Sequence, residues 1–405
     1  MAMKLRILIV NEPQIQVTEG IRTLKDNGYD IDIAIPSKDT LKAKVKSWFL
    51  SKFIDKHYFI SSPFDIDKFL HDLQKILSEQ HYDVILPFGF ETTVAISKVQ
   101  EQLQDLTNMC IADFETLIKV HDKENLNLLL ANNGFDVPKI YIYKDFDQLC
   151  GQELQYPLVV KARRGCGMDK GVRYANSLAE LKNAYSDISD NSSDNTELSD
   201  FSRPLVQEYI PGKIYDGLFL CDRGEVKLEM AQIREVSYPL SGGVGVNNIS
   251  LEDEELLKYC RDILRFIKWH GPCQVEVKKD SRTGTYKLIE INPKLWGTLG
   301  LSIKSGVNFP VDSCRLAVSE NLEYTNQYKK NLKYKILFPL EVFTIVQDKG
   351  NRWRRFKKLF EIFEDNTVTD FDKRDLKPNI IYILYTFFVL LYNRRKILPK
   401  GEEYH

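Results

Sequence analysis

The chain carries two neighbouring segments that decide its fold, Gln274-Val275-Glu276-Val277-Lys278 and Tyr286-Lys287-Leu288-Ile289-Glu290-Ile291-Asn292. Both read as strands, and both carry a carboxylate in apolar surroundings. A turn centred near Thr283 would set Glu276 almost directly opposite Glu290, and strand alternation puts Asn292 on the same face as Glu290. Two buried carboxylates that face each other repel unless a cation lies between them, so this hairpin predicts a cation site.

The side chains of this hairpin offer only hard oxygen ligands, two carboxylates and one amide. Such a set suits Mg²⁺, which is usually held by a few protein groups together with nucleotide phosphates. We therefore predict a magnesium site at Glu276, Glu290 and Asn292, with Mn²⁺ as the alternative ion. The plain alternative is a solvated hairpin with charged cross-strand neighbours.

A second motif is a buried strand that ends in a lysine and runs into a basic, glycine-rich loop. It reads Pro157-Leu158-Val159-Val160-Lys161, followed by Ala162-Arg163-Arg164-Gly165-Cys166-Gly167-Met168-Asp169-Lys170-Gly171. Backbone N–H groups in such a loop, with an ammonium nearby, can cradle phosphates. The Walker A pattern is absent from the sequence, and an ordinary flexible hairpin is the alternative interpretation.

The amino-terminal region reads as a parallel α/β unit. Residues 5–10 are a continuous apolar run, followed by a helical stretch that ends near Asn27-Gly28 and by a second strand, Ile31–Ile35. A later strand covers residues 83–87. The turn after the first strand lacks G-x-G-x-x-G, so a dinucleotide site has little support.

Further elements follow along the chain. A helix is predicted from Lys123 to Asn133, with a strand after it at Ile140–Tyr143. Residues 186–200 are too polar to pack and predict a disordered surface loop, with a phosphorylated regulatory loop as the alternative. Beyond it come a hairpin turning at Asp222-Arg223-Gly224 and a helix around residues 252–269.

Length, charge and cysteine content limit the class of protein. The chain has 405 residues, enough for two or three domains. Its net charge is −1, from 56 basic and 57 acidic residues, so no global field indicates nucleic acid as a partner. The seven cysteines are scattered and never spaced as C-x-x-C, and no signal peptide is recognisable at the start. A reducing, cytoplasmic location is the expectation.

Taken in order over roughly residues 1–320, these segments resemble the ATP-grasp superfamily, in particular its carbamoyl-phosphate-synthase-like carboxylate-amine ligases. The resemblance implies that Lys123 and Lys161 contact ATP phosphates, with Gly165 and Gly167 in the flexible loop beside them. It also implies that Glu276, Glu290 and Asn292 are the metal ligands.

The superfamily's hinge strand is matched residue by residue in Gln207-Glu208-Tyr209-Ile210-Pro211-Gly212. The resemblance implies that Gln207, Glu208, Tyr209 and Ile210 line an adenine pocket. Many members place an acidic ribose ligand shortly afterwards, where this chain has Tyr215 and then Asp216.

Two basic residues complete the implied site. Arg234, followed by the glycine loop of residues 237–246, resembles the arginine that faces the transferred phosphate. Lys294 stands where the superfamily usually has arginine after the asparagine-proline pair, which keeps the charge but changes its geometry.

The fold class implied is α/β combined with α+β. A Rossmann-like (pre-ATP-grasp) parallel sheet at residues 1–112 would precede a two-lobed ATP-grasp domain at 113–320 and a helical carboxyl-terminal extension at 321–405. The small lobe is expected at about residues 113–204 and the large lobe at about 205–320.

The activity implied by the resemblance is an ATP- and Mg²⁺-dependent ligation of a small carboxylate to an amine or a similar nucleophile through an acyl phosphate. Three alternatives remain open. They are a carbamoyl-phosphate-synthase-like or carboxylase-like reaction, a non-catalytic nucleotide-binding regulator, and half of a nucleotide-sugar glycosyltransferase.

The carboxyl-terminal region has a pattern of its own. Residues 351–363 alternate basic and aromatic residues, which predicts a basic amphipathic helix. A later apolar run, Ile380 to Tyr392, is only thirteen residues long, whereas a membrane span needs about 20. Packing against the rest of the chain or against a partner, such as the second copy of a homodimer, is one interpretation. Weak contact with a membrane surface through residues 351–396 is the other.

Overall fold

A computed structural model describes residues 4–165, 172–194, 198–240, 243–348 and 350–392. Within these ranges the strands form three sheets, of four, seven and four strands. The predicted combination of a parallel α/β sheet with antiparallel α+β sheets is confirmed.

The amino-terminal sheet is parallel, with strand order β3-β2-β1-β4. Apolar residues cover both faces, as the continuous apolar runs predicted: Ile7 and Ile9 belong to one core cluster, Leu8 and Val10 to another. Gly28, just after the first helix, has φ +83°, a conformation that favours glycine. The elements of this region are β1 (Arg6–Val10), α1 (Ile15–Asp26), β2 (Asp30–Pro36), α2 (Thr40–Lys46), a 3₁₀ turn (Ser47–Phe49), β3 (Lys56–Ile60), α3 (Ile66–Glu79), β4 (Val84–Pro87), α4 (Phe90–Lys98) and α5 (Gln100–Leu103).

The next region forms an antiparallel sheet with strand order β5-β8-β6-β7. Its elements are α6 (Phe114–His121), α7 (Lys123–Ala131), β5 (Ile140–Tyr141), α8 (Phe146–Cys150), β6 (Leu158–Lys161), β7 (Val172–Ala175), α9 (Leu178–Ser189), a 3₁₀ segment (Asp190–Asp194) and β8 (Leu205–Glu208). The sequence predicts that the large lobe begins at about residue 205. Because β8 is hydrogen-bonded between β5 and β6, the two lobes divide after Glu208 instead.

The prediction of a disordered loop at residues 186–200 is wrong in its first part. Residues 186–189 are the last turn of α9, and a 3₁₀ segment follows at Asp190–Asp194. Ile188 is fully buried in the small-lobe core, and it holds this polar stretch against the sheet. Residues 195–197 lie outside the described residues.

The large lobe is built on the seven-stranded sheet, ordered β13-β12-β9-β10-β11-β14-β15. Its elements are β9 (Ile214–Asp222), β10 (Glu225–Tyr238), β11 (Val244–Leu251), α10 (Glu254–Phe266), β12 (Gly271–Lys279), β13 (Tyr286–Asn292), α11 (Leu299–Ser305) and α12 (Phe309–Ala317). The two predicted hairpins are present, one turning after Asp222 and the other after Lys279. Helix α10 buries an apolar stripe that includes Leu256, Cys260 and Ile263.

The sequence predicts a helical carboxyl-terminal extension. The structure differs, because two short strands of this region extend the large-lobe sheet. Strand β14 (Lys333–Lys335) pairs antiparallel with β11, and β15 (Thr367–Thr369) pairs parallel with β14. The other elements are a π-helical turn (Leu337–Glu341), α13 (Val342–Gln347), α14 (Arg352–Lys358), a 3₁₀ turn (Leu359–Phe363) and α15 (Leu376–Tyr392). Backbone pairing with the sheet satisfies N–H and C=O groups that would otherwise be buried without partners.

Candidate active site

A row of polar side chains crosses one face of the large-lobe sheet. Glu290 on β13 lies opposite Glu276 on β12, Glu276 lies opposite Asp216 on β9, and Asp216 lies opposite Gln232 on β10. A bulge directly after Glu276 sets this register. The predicted pairing of Glu276 with Glu290 is therefore present, and Asn292 lies two residues further along the same face.

The two glutamates respond differently to this environment. Burial raises the pKa of Glu276 to about 7, and the negative charges of Glu290 and Asp216 add to that against the opposing charge of Arg234. Burial also acts on Glu290, but the charges of Lys123 and Lys161 outweigh it and hold the pKa of that carboxyl below its usual range. The charge of Arg234 therefore does not offset burial and the two neighbouring carboxylates at Glu276.

Both predicted phosphate lysines reach this row from the small lobe. Lys123, at the start of α7, places its Nζ 3.7 Å from Glu290 Oε2, and it donates to the Gly165 carbonyl at 3.1 Å. Lys161, at the end of β6, places its Nζ 3.5 Å from the Ile289 carbonyl. Burial, together with the charge of Lys123, lowers the pKa of Lys161 to about 8. The two ammonium groups and the two glutamates therefore face one cleft between the lobes.

The glycine loop is only partly described. Gly165 has φ +110°, and its N–H lies 3.2 Å from His121 Nε2, which is also 2.8 Å from the Leu198 carbonyl. Burial, with the charge of Lys123, lowers the pKa of His121 to about 4, which keeps this imidazole neutral. Gly167 lies outside the described residues.

The predicted adenine hinge lies at the end of β8, but the Glu208 carboxylate already has protein partners. It accepts from the Lys139 N–H at 2.9 Å and pairs with Lys287 at 3.1 Å and Arg282 at 3.2 Å. Gln207 is buried, and its Oε1 has no hydrogen-bond partner in the part of the chain that the structure describes.

Lys278 is a residue of this hinge that the sequence analysis missed. Its Nζ lies 4.8 Å from the centre of the Tyr209 ring and donates to the Ile210 carbonyl at 2.8 Å. Strand alternation from Glu276 would have placed it on the same face. Lys278 therefore joins Tyr209 and Ile210 as a candidate part of the nucleotide pocket.

Asp216 is the other missed residue, and its position bears on the ribose. Its carboxylate is fully buried and accepts from Gln232 Nε2 at 2.8 Å and from Arg234 at 2.6 and 3.0 Å. Tyr215 points to the opposite face and packs on the Tyr286 ring at 5.5 Å. The carboxylate of Asp216 is thus occupied by the protein.

Arg234 is enclosed by acceptors. Besides Asp216, it bonds to Glu276, and its Nη1 donates to the Gly243 carbonyl at 3.0 Å. Burial lowers the pKa of Arg234, but the two carboxylates outweigh it and raise that pKa above its usual value. Arg234 fixes Glu276 in place, and it also offsets part of the negative charge of the row.

Lys294 presents the opposite case. Its backbone N–H donates to the Asn292 carbonyl at 2.9 Å, which fixes the turn after β13. Its ammonium group makes no hydrogen bond or ion pair with the residues that the structure describes. Of the two predicted catalytic residues, Arg234 is occupied by protein carboxylates, and Lys294 therefore has the charge that is available to a ligand.

The chain is similar to known proteins in both sequence and structure. Residues 200–337 match a protein family described as ATP-grasp in the biosynthetic pathway with Ter operon. The carbamoyl phosphate synthase large chain of Methanothermobacter thermautotrophicus is 22% identical over 265 residues, which are 62% of this chain. They are 24% of that relative, so the chain spans about a quarter of its length.

Two solved structures illustrate the likeness of the fold. The L-amino acid ligase from Bacillus licheniformis aligns with a TM-score of 0.62 at 16% identity, over 82% of this chain and 79% of that one. The biotin carboxylase domain of Hydrogenobacter thermophilus 2-oxoglutarate carboxylase, in complex with MgADP, aligns with a TM-score of 0.65 at 17% identity, over 82% and 74%. These findings confirm the fold that the order of the motifs predicted.

Proposed function

We propose that this chain, whose fold is that of the ATP-grasp proteins, is an ADP-forming ligase that activates a carboxylate with ATP and joins it to an amine or a similar nucleophile. One observation carries the proposal. Two ammonium groups of the small lobe, those of Lys123 and Lys161, converge on the strand that holds Glu290, opposite Glu276. Cations beside paired carboxylates are suited to a polyphosphate with its metal ion.

The residues of this cleft fit a magnesium ion that arrives with the nucleotide. The described residues contain no cluster of three or more histidine, cysteine, aspartate or glutamate side chains that could hold a metal. Glu276, Glu290 and Asn292 offer two carboxylates and an amide, a set that phosphate oxygens would complete. Burial is the main cause of the raised pKa of Glu276, and the charges of Glu290 and Asp216 add to it, so a cation bound beside this carboxylate would lower that pKa. When bound, the ion would neutralise phosphate charge and polarise the transferred phosphoryl group.

The side chains of the cleft would bind and position ATP. Lys123 and Lys161 would neutralise the phosphates from the small-lobe side, with Gly165 beside Lys123 at the start of the glycine loop. Tyr209, Ile210 and Lys278 would line the adenine pocket with Gln207, and Glu208 would hold the hinge through Lys287. Alignment and charge stabilisation would provide most of the rate enhancement, because phosphoryl transfer requires little covalent chemistry from the protein.

The reaction would take place in two steps. A carboxylate oxygen of the substrate bonds to the γ-phosphorus while the bond from that phosphorus to the β–γ bridging oxygen breaks, which releases ADP. The amine nitrogen then bonds to the acyl carbon, the carbon–oxygen bond to phosphate breaks, and the amine loses a proton. Lys294 would stabilise charge on the acyl phosphate, and Arg234 would keep Glu276 in position.

A coupled assay tests the proposal and separates it from the alternatives. Purified full-length chain with ATP and Mg²⁺ would be screened for ADP and phosphate release over amino acids, peptides and small dicarboxylates, each with and without an amine. We expect release that needs both partners and a ligated product by mass spectrometry. Release with bicarbonate alone would indicate the carboxylase-like alternative. ATP binding by calorimetry without turnover across the screen would contradict a ligase and favour the regulator.

A further inference from the structure

Helix α15 exposes an apolar stripe to solvent. Five side chains spaced at i, i+4, i+7, i+8 and i+11 lie on one helical face and are 51–75% exposed. They are Ile380, Leu384, Phe387, Phe388 and Leu391. No charged residue occurs between Asn379 and Tyr392. At about 1.5 Å per residue the stripe is about 16 Å long, and soluble proteins rarely leave so large an apolar patch uncovered.

A second exposed group lies against this helix. The ring of Phe49 packs 4.8 Å from the ring of Tyr382 on α15. This contact places the segment that precedes Phe49 in the chain beside the helix. In that segment three apolar side chains, again at i, i+4 and i+7, are 74, 49 and 60% exposed: Leu41, Val45 and Trp48. Exposed Lys44 lies between them and makes no ion pair with the described residues.

A third exposed group lies on α14 and the turn that follows. The rings of Trp353 and Phe356 stack at 5.5 Å, Phe360 meets Phe356 edge-on at 5.9 Å, and all three are exposed. Helix α13 packs between this group and α15, because Phe343 of α13 contacts Val389 of α15. We call the three groups together the apolar-basic surface.

The charge around these aromatic rings is positive. Of the acids in residues 351–365, Glu361 and Glu364 pair with Lys333 at 3.1 and 3.2 Å, and Asp365 is exposed. Arg354 and Lys357 are exposed and make no ion pair among the residues that the structure describes. The outer surface of this segment therefore combines basic and aromatic side chains, and Arg354 and Lys357 outnumber exposed Asp365.

We propose that the apolar-basic surface binds the surface of an anionic lipid membrane. Exposed aromatic and aliphatic side chains would enter the interface, and the arginine and lysine side chains would face the anionic headgroups, the arrangement of interfacial anchors. The helix lies on the membrane in this arrangement. Among the described residues, none of the helices combines the length and the apolar character that spanning would require.

Charge favours a membrane over a second copy of the chain. A two-fold interface uses the same patch on both copies, so self-association here would bring two sets of the same basic residues to one interface. Glu361 and Glu364 are already paired with Lys333, so Asp365 is the acid of this segment that remains to balance Arg354 and Lys357 on each copy. An anionic bilayer supplies the missing negative charge.

Vesicle flotation of the full chain tests the proposal. Vesicles of phosphatidylcholine alone and of phosphatidylcholine with phosphatidylserine would be compared in salt at about 0.05 and 0.5 M. We expect binding only to the anionic vesicles, and weaker binding at the higher salt.

Two variants separate the contributions. Replacing Leu384, Phe387 and Phe388 by Gln together is expected to abolish flotation. Replacing Arg354 and Lys357 by Gln is expected to weaken binding by about fivefold for each residue, the fold-change that corresponds to about 1 kcal/mol. Matched controls are Ile142→Gln with Leu178→Gln, which are 49 and 50% exposed, and Lys75→Gln with Lys119→Gln on exposed positions elsewhere.

Three outcomes would overturn the proposal: no flotation of the wild-type chain with anionic vesicles, equal flotation of the stripe variant, or a wild-type dimer that the stripe variant dissociates without any vesicle binding. The last would identify the stripe as an interface between two copies. ADP release in solution should be the same in all these variants, because none of the changed residues lies in the candidate active site. The membrane proposal can thus fail while the ligase proposal stands.

Discussion

Glu290 is the residue at which charges from both lobes meet. It accepts from Asn292 at 3.1 Å on its own strand and faces Lys123 at 3.7 Å across the cleft. Its side chain remains 29% exposed, so it can still contact a ligand. A carboxylate held this way can bind a metal ion only as long as it carries its charge.

We expect Glu290→Gln to lower ATP turnover by about a hundredfold or more, because the change removes one negative charge from the proposed metal site at constant volume. Melting temperature and Mg²⁺-dependent ADP release would be measured. Glu323→Gln, at an exposed position, is the control. Wild-type turnover in the Glu290 variant would remove the metal assignment.

Lys161→Ala is expected to weaken ATP binding by about ten- to a hundredfold, the loss of a charge-assisted contact, and AMP binding much less. The ammonium is proposed to lie on phosphate and away from base and ribose. Calorimetry with both nucleotides decides this, with exposed Lys144→Ala as control. Equal losses for ATP and AMP would mean that Lys161 serves only the structure of the cleft.

At the residue scale, both hairpins of the large lobe contain a bulge, and the sequence predicts the cross-strand pair in only one of them. Counting back from the pair Asp222 and Glu225 would put Asp216 opposite Ala231, but a bulge after Val226 moves it opposite Gln232. A shift of one residue exchanges the faces of a strand. The contact between Asp216 and Arg234 depends on that shift and is not predicted, whereas a turn centred near Thr283 sets Glu276 opposite Glu290 even though a bulge follows Glu276.

At the scale of elements, Arg234 joins three strands of the large lobe. It lies on β10 and bonds to Asp216 on β9 and to Glu276 on β12. The side chain is 7% exposed, and Asp216 is fully buried. Removing one member of a buried ion network leaves its partners charged and without compensation.

Arg234→Gln is therefore expected to reduce the free energy of unfolding by about 3–5 kcal/mol, while Lys294→Gln lowers turnover with little effect on stability. Denaturant unfolding and ADP release would be measured for both. Adding Asp216→Asn to Arg234→Gln should restore part of the stability, because it removes one of the unpaired charges. Unchanged stability of Arg234→Gln would show that the buried carboxylates are neutral without it.

Sequence patterns predict whether a segment is a helix or a strand more readily than they predict which elements it pairs or packs with. Strand β8 read correctly as a strand, but its place in the small-lobe sheet depends on hydrogen bonds to β5 and β6, which no local pattern encodes. Likewise the composition of residues 186–200 predicts disorder, yet Ile188 continues the buried stripe of α9 that includes Leu181 and Ala184. Tertiary packing decided both cases.

At the scale of the whole molecule, Arg22 fastens the carboxyl-terminal region to the amino-terminal domain. From α1 its guanidinium donates to the Asp375 carboxylate at 3.1 Å, to the Asp370 carbonyl at 2.8 Å and to Asn379 Oδ1 at 3.0 Å. These contacts join residues more than 340 positions apart in the chain. Such long-range polar contacts could not be foreseen from the sequence, because neither end belongs to a recognisable motif.

The carboxyl group of Asp370 lies in the same junction and gives it a pH dependence. Burial, with the charge of Glu19, raises the pKa of Asp370 from 3.8 to about 7, although the Leu337 N–H donates to it at 3.0 Å. The folded state therefore keeps the proton that the unfolded chain loses above about pH 4. As pH rises from about 4 to about 7 this group lowers the free energy of unfolding by up to about 1.4 kcal/mol per pH unit, and above that range the loss is complete.

Asp370→Asn should remove this dependence, since the amide keeps an oxygen for the Leu337 N–H and does not ionise. We expect the stability of the variant relative to wild type to increase between pH 5 and pH 7, by up to about 2.7 kcal/mol in denaturant unfolding. Asp372→Asn is the matched control two residues away. The hydrogen bond from Arg374 lowers the pKa of Asp372 to about 2, so its contribution is lost only on acidification below about pH 4, and it should be constant across this window. A difference for Asp370→Asn that stays constant between pH 5 and pH 7 would mean that Asp370 is ionised in the fold, with the Leu337 N–H and the Asn379 amide as donors to its carboxylate.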